Sequence, residues 1–338
     1  VEVARIINRR GANVPVNAKV GAFFSEAMDP TTINVATLFL MQGTTAVPAA
    51  VSYSGVSAVL VPSGNLAPAT LYSARVKGGA GGAKDLAGNP LAADYSWSWT
   101  TSADADTIAP TVSGTINADG ATNVALNASI GATFSEAMDP LTVTVNTFFL
   151  SQGATPVLGT VTYSGVSAVF IPYVNLLPNA GYTVTIKGGA GGMTDLAGNP
   201  MAGDHVLSWT TGSALDTGAP TVVSTTIADG ATNVPITQLV GATFSGGMDP
   251  LSITNVKCTL TATATGMPVG QWTVSYAGGS LAFHPDPYDF GPLPPDALLP
   301  QTGYTVTIRG GADGVLDLAG NPMAGDYAWS FTTAPATP

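Results

Sequence analysis

The sequence is short of three things that most enzymes and nucleic-acid-binding proteins need, and each shortage removes a class of function. There is a single cysteine, Cys258, which excludes an internal disulfide and any thiolate cluster for zinc or iron, and leaves the redox compartment open. The two histidines, His205 and His284, are too few and too isolated for a catalytic triad or an imidazole metal site. Charged residues make up 9% of the chain, against about 25% in an ordinary soluble domain. Only ten are Lys or Arg, and the net charge of −11 speaks against binding a phosphate polyanion, which has to be neutralised by bases. No apolar run approaches the ~18 residues of a membrane span. The first residues do not read as a signal peptide, so an export signal is expected upstream or already removed.

What is abundant is turn-forming and apolar. Gly 40 and Pro 25 stand beside 45% hydrophobic residues, the composition of a turn-rich, all-β chain with enough apolar content to collapse. The few charges are unevenly placed. Residues 1–102 hold seven bases, Arg5, Arg9 and Arg10 among them, against five acids; residues 103–212 hold one base against seven acids; residues 213–338 hold two against nine. The chain starts mildly positive and ends acidic.

The sequence then repeats. Asp-Leu-Ala-Gly-Asn-Pro occurs at 85–90, 195–200 and 317–322, and Met-Asp-Pro at Met28, Met138 and Met248. The period of 110 (Met28 to Met138) is a whole domain, longer than the ~20 to 50 residues of solenoid repeats. The step from Asp195 to Asp317 is 122, so the third copy carries twelve extra residues in the proline-rich stretch near 284–295. This divides the chain into 1–101, a linker at 102–110, 111–211, a linker at 212–220, 221–333 and a tail at 334–338. In the second copy, alternation and turn clusters predict strands over 111–117, 129–135, 143–151, 156–163, 168–172, 182–187 and 205–211. The six-residue motif is read as a tight turn between the last two. Seven strands in about 100 residues are the signature of an immunoglobulin-like β-sandwich. The expected fold is therefore all-β, three tandem seven-stranded immunoglobulin-like β-sandwiches.

Two patterns point to filled cores. On the last strand of each copy, Tyr95, Trp97 and Trp99, then Leu207 and Trp209, then Tyr327, Trp329 and Phe331 share one parity, so that face is expected to be buried. Leu-x-Pro followed by Tyr, at Tyr72, Tyr182 and Tyr304, looks like a tyrosine corner, in which the phenol bonds nearby backbone. Cys258 stands where the second copy has Phe148, so it reads as a small buried hydrophobe. His205 stands where the other copies have Tyr95 and Tyr327, which points to packing.

Phe-Ser-Glu-Ala-Met-Asp-Pro, then Tyr-x-Val-x-Ile-x-Gly-Gly, Asp-Leu-Ala-Gly-Asn-Pro and a Trp-bearing strand ending in Thr-Thr together resemble the bacterial immunoglobulin-like domain of S-layer type. The resemblance covers nearly the whole chain, and implies tandem arrays on exported surface proteins. The third copy departs from the pattern twice: it reads Ser245-Gly246-Gly247-Met248, without the Glu of the first two, and it carries the insertion.

The recurring acids have two readings. In the first, Asp85, Asp195 and Asp317 accept N–H bonds inside their own turns, with Gly88, Asn89, Gly198, Asn199, Gly320 and Asn321 supplying positive-φ positions. In the second, Asp85, Asp104, Asp106, Asp195, Asp216 and Asp317 contribute to calcium sites at the domain junctions, as the resemblance implies; calcium takes six to eight oxygens, and the dense Asp-x-Asp-x-Asp loop that marks its strongest motif is absent. Paired carboxylates also serve glycoside hydrolysis, but the same acids in three domains would make three active sites. No recurring nucleophile, base or cofactor cradle is present, so a catalytic role is not expected. Low charge and the opposite polarity of the two ends suggest head-to-tail self-association, with Arg5, Arg9 and Arg10 at one end and Tyr288 and Phe290 of the insertion as contact candidates. The expected role is a non-catalytic structural protein outside a prokaryotic cell: a stalk, sheath or extracellular filament subunit. The alternative is an adhesin or spacer array of a secreted protein, with ligand contact through the insertion.

Overall fold

The computed structural model describes residues 1–7, 13–264, 272–277, 279–285 and 298–335. Apart from one 3-10 turn at Pro30–Thr32, its regular elements are strands, and no helix among the described residues is long and apolar enough to cross a membrane. The chain falls into two compact units. The first is 1–110 with 136–142 and 188–203; the second is 111–135, 143–187 and 204–338.

In the first unit, β1 (Val3–Ile7), β2 (Val20–Phe24), β3 (Leu38–Gln42), β4 (Thr45–Val47), β5 (Ala49–Ser54), β6 (Ser57–Pro62), β7 (Leu71–Val76) and β8 (Tyr95–Thr100) make two four-stranded antiparallel sheets, ordered β1-β2-β6-β5 and β4-β3-β7-β8. The period of two is visible along β7, where Tyr72, Ala74 and Val76 are buried and Leu71 and Arg75 exposed. Such inward residues from both sheets, with Phe24, Leu40, Leu60, Trp97 and Trp99, form one core.

The second unit holds the strands of the other two copies. In the second copy, β9 (Val112–Thr115), β10 (Ile130–Phe134), β11 (Phe148–Gln152), β12 (Thr155–Val157), β13 (Gly159–Ser164), β14 (Ser167–Pro172), β15 (Gly181–Ile186) and β16 (His205–Thr210) are ordered β13-β14-β10-β9 and β12-β11-β15-β16. In the third, β17 (Val222–Thr225), β18 (Ala231–Val234), β19 (Val240–Phe244), β20 (Cys258–Ala262), β21 (Trp272–Ala277), β22 (Ser280–Pro285), β23 (Gly303–Ile308) and β24 (Tyr327–Thr333) are ordered β17-β19-β22-β21 and β18-β24-β23-β20.

Each copy therefore shows eight strands among the described residues, where seven were expected. In the second copy the segment read as one strand, 156–163, is two: β12 pairs with β11 in one sheet and β13 with β14 in the other. The chain changes sheets at Leu158, which is 74% exposed. In the first copy the change falls at Pro48, between β4 and β5, where a missing N–H suits a break in the ladder. In the third copy the eighth strand is β18, which runs parallel to β24; the first two copies keep only single parallel bridges there, Val14 to Thr101 and Val124 to Thr211. The strand expected over 143–151 begins only at Phe148, because Thr147 and Phe148 both donate their N–H to Thr144 O and close a turn.

The ring stripe is buried at Trp97, Trp99, Leu207, Trp209, Trp329 and Phe331, but Tyr95, first on its strand, is 37% exposed because it lies where the sandwich opens to its loops. The tyrosine corners are present in all three copies. Ala67, Leu177 and Leu299 donate N–H to the phenol oxygens of Tyr72, Tyr182 and Tyr304 at 2.9, 2.8 and 2.7 Å, and those rings pack on Trp99, Trp209 and Phe331. Cys258 is buried at the head of β20 and pairs with Ile308; burial pushes its thiol up to about 12, so it is inert at neutral pH. His205 is half-buried at the start of β16.

Candidate functional site: the paired loops at each junction

The six-residue motif is not a hairpin turn. β7 and β8 pair from Val76 and Tyr95 outward, and the motif is one part of the long connection between them. Its local order comes from the aspartate. Asp85 Oδ1 accepts the N–H of Ala87 and Asn89 at 2.9 and 2.8 Å, and Oδ2 accepts the Asn89 side-chain amide at 2.8 Å. Asp195 and Asp317 make the same three bonds with Ala197 and Asn199, and with Ala319 and Asn321. The Asn89 amide holds the Asp85 carboxyl below the usual carboxylate range. Gly88, Gly198 and Gly320 take positive φ of 85°, 93° and 85°, where a Cβ is strained. The asparagines do not share that role: none of Asn89, Asn199 or Asn321 has positive φ, and each instead serves as the amide donor.

The turn is braced against the other repeated motif. Met28, Met138 and Met248 form bridges with Asp85, Asp195 and Asp317, and the next residue of each, Asp29, Asp139 and Asp249, donates its N–H to Lys84, Thr194 and Leu316 O. Tyr53 and Tyr276, which sequence inspection does not single out, receive the Met28 and Met248 N–H on their phenol oxygens. The two sequence signatures are thus one pair of loops.

In the second and third copies this pair touches the copy before it. Within the first unit, Lys19 donates its N–H to Leu196 O at 2.7 Å, and Asn199 Nδ2 donates to Asp106 O at 3.2 Å. Leu196 is buried with Ile7 and Val59, with Phe23, Val61, Ala137 and Leu141 packed around them. Lys19 Nζ reaches Asp139 Oδ2 at 2.6 Å. Within the second unit, Ser129 donates to Leu318 O at 3.0 Å and Asn321 Nδ2 to Asp216 O at 3.2 Å. The linker is pinned alike in both: Asp106 exchanges two bonds with the Asn17 side chain, and Asp216 two with Asn127.

Side chains differ between the junctions where the backbone agrees. At the first, Asp106, Glu136 and Asp195 bring carboxylate oxygens within 4.8 Å of one another. Burial, then the charges of Asp106 and Asp195, push the Glu136 carboxyl up to about 7. At the second, Gly246 stands in the place of Glu136, and a groove of about 320 Å³ is lined by Ile116, Gly131, Gly247, Pro250 and Tyr276 among others. Of the calcium candidates, the structure gathers Asp106 and Asp195, with Glu136, which the sequence reading did not name. Asp104 and Asp216 are exposed, and Asp85 and Asp317 are engaged within their turns. Counted at one oxygen each, these three carboxylates supply about half of the six to eight oxygens calcium takes. Arg9, Arg10, Tyr288, Phe290, the side chains of Arg5 and His284, and nearly all of the insertion lie outside the described residues.

Three tandem sandwiches, each with eight strands among the described residues and its own pair of loops, define a tandem immunoglobulin-like protein. The bacterial Ig-like domain family matches at residues 5–101, 106–211 and 216–333, and the chain belongs to that family in three copies. No curated protein matches the sequence. Among solved structures, the chain is similar to the N-terminal part of the bacterial S-layer protein SbsC (14% identity, 66% of this chain and 44% of that one, TM-score 0.26). It is also similar to domains 1-6 of the same surface layer protein (11%, 99% and 54%, TM-score 0.25) and to the FN1-FN3 domains of chicken CNTN1 (13%, 98% and 97%, TM-score 0.21). The chain spans about half the length of the two SbsC structures. At these identities and TM-scores the likenesses carry nothing about function, and the family match stands alone.

Proposed function

We infer that this chain is a non-catalytic structural protein of the prokaryotic cell surface, working as part of a stalk, sheath or extracellular filament. The observation that supports this reading is the repeated docking. Two successive junctions use the same two bonds, Lys19 to Leu196 and Asn199 to Asp106 in one, Ser129 to Leu318 and Asn321 to Asp216 in the other. A module that fixes its neighbour through its own backbone suits a load-bearing array. Low charge fits a surface that packs against other copies, since free monomers carry about a quarter charged surface or more. Gold-labelled antibody on the cells that make the chain, with electron microscopy of the purified protein at low salt, tests the reading. The expected result is label on the cell exterior and ordered filaments or layers. Label confined to the cell interior, with dispersed particles at every concentration, would sink it.

A further inference from the structure

The groove of about 320 Å³ in the second unit has a filled counterpart in the first. Along β10, Ala132 and Phe134 are buried in the core, so Gly131 and Thr133 share the opposite face of the strand. Along β2, Ala22 and Phe24 are the core residues, and Phe23 lies on the opposite face, where it packs with Ala137 against the cluster of Ile7, Val59 and Leu196. At the second junction both fillers are cut back: Thr133 stands for Phe23, and Gly247 for Ala137. Ile116, which meets Gly131 as Ile7 meets Gly21, takes up part of the room. A Cβ on Gly131 or Gly247 would come within 2.4 or 2.5 Å of its side chain. The rest stays open, between Ile116, Gly131 and Thr133 of the second copy and Gly247, Pro250 and Tyr276 of the third.

We propose that this groove binds a small neutral aromatic molecule, whose ring takes the place that the Phe23 ring holds at the first junction. Phe23 itself chooses the ring, because the same strand position, against the matching loops, is filled by a phenyl group where the chain supplies one. The size agrees: apolar cavities of about 150 Å³ already take up benzene, and ligand pockets begin near roughly 300 Å³. The electrostatics select a neutral molecule. None of the described residues lining the groove is charged, so an ionic ligand would give up hydration there without gaining a partner. The lining comes from both copies, so the occupant bridges them and stabilises their junction by mass action.

The test titrates indole into the full chain and follows the Ile116 methyl resonances together with Tm. One saturable site is expected, with Tm rising as indole is added and benzoate binding weaker by about tenfold or more. Thr133→Phe restores the ring of the first junction and is expected to weaken indole binding by about tenfold or more, whereas Thr133→Val, of the same shape as threonine, is expected to change it by about threefold or less. Ile116 methyls that stay unshifted up to the solubility of indole, benzoate binding as tightly as indole, or full binding in a folded Thr133→Phe would overturn the proposal. An equal loss in Thr133→Val and Thr133→Phe would overturn it too, since the ligand would then be read by the hydroxyl and not by the space that Phe23 fills. N-acetylphenylalanine methylamide binding far more tightly than indole would assign the groove to a side chain of a partner protein and overturn the small-molecule occupant.

Discussion

The two internal junctions share their backbone bonds, the leucine and Asp-Asn pair of the motif and the linker aspartate, and differ in the side chains placed around them, Lys19 against Ser129 and Glu136 against Gly246. The first joins a lysine to a buried aspartate and gathers three carboxylates. The second has Ser129 and Gly246 in those places and leaves a groove of about 320 Å³. Both nevertheless make one N–H bond to the leucine carbonyl of the motif and one asparagine bond to the linker. The comparison assigns docking to the backbone and to the Asp-Asn pair that shapes it. Side chains set how the docking responds to pH and salt.

The strongest way to break the comparison is to remove the shared part. Asp195→Ala and Asp317→Ala each delete an acceptor of three bonds, an expected loss of about 3 kcal/mol each in urea unfolding. Asp85→Ala deletes the same bonds in a turn that docks on nothing in this chain and is expected to cost less. The excess at 195 and 317 measures the docking, and equal losses at all three positions would show that the turn serves only its own domain.

Lys19→Met attacks the first junction alone. It leaves Asp139, with a side chain 3% exposed, without its cation. Breaking a buried pair costs more than the pair contributes, and with Lys19 itself 22% exposed the expected loss is about 2 kcal/mol. Ser129→Ala at the matching place is expected to cost about 0.5 kcal/mol or less. A Tm shift of equal size in the two variants would erase the distinction between the junctions.

The pH response sharpens it further. The folded protein holds the Glu136 carboxyl up to about 7, above an ordinary 4.5. Between those values the folded chain binds more protons than the unfolded one, so stability falls as pH rises through this window and levels off above it. Glu136→Gln is expected to flatten that fall, its Tm advantage over the parent being small at pH 4.5 and largest near pH 8. Gly246→Glu is expected to install the same fall at the second junction, where the glycine has open space and an ordinary φ. Calcium was the second of the two readings of the recurring and linker aspartates, beside the structural one. A calcium-dependent rise in Tm that Glu136→Gln abolishes would place the ion among Asp106, Glu136 and Asp195; a rise that the variant keeps would place it elsewhere.

The period, the tyrosine corners and the Asp-Asn turn were legible in the sequence because each is local: the phenol of Tyr72 bonds Ala67, and Asp85 bonds Asn89. The eighth strand was not, since β12 and β13 alternate as one run and differ only in which sheet they join. Nor was the junction. Asn199 meets Asp106 and Lys19 meets Asp139 across most of a repeat or more, and no spacing rule reaches that far. Glu136 was visible only through its loss at Gly246, which the repeat comparison registered without showing what the glutamate faced.

Amide hydrogen exchange of Lys19 and Ser129 tests the shared docking geometry most directly. Both amides donate to the leucine carbonyl of the next copy's motif, so both are expected to be protected in dilute solution and to lose that protection when the motif's aspartate, Asp195 or Asp317, is replaced by alanine at the matching junction. A Lys19 or Ser129 amide that exchanges freely in the parent chain would contradict the account.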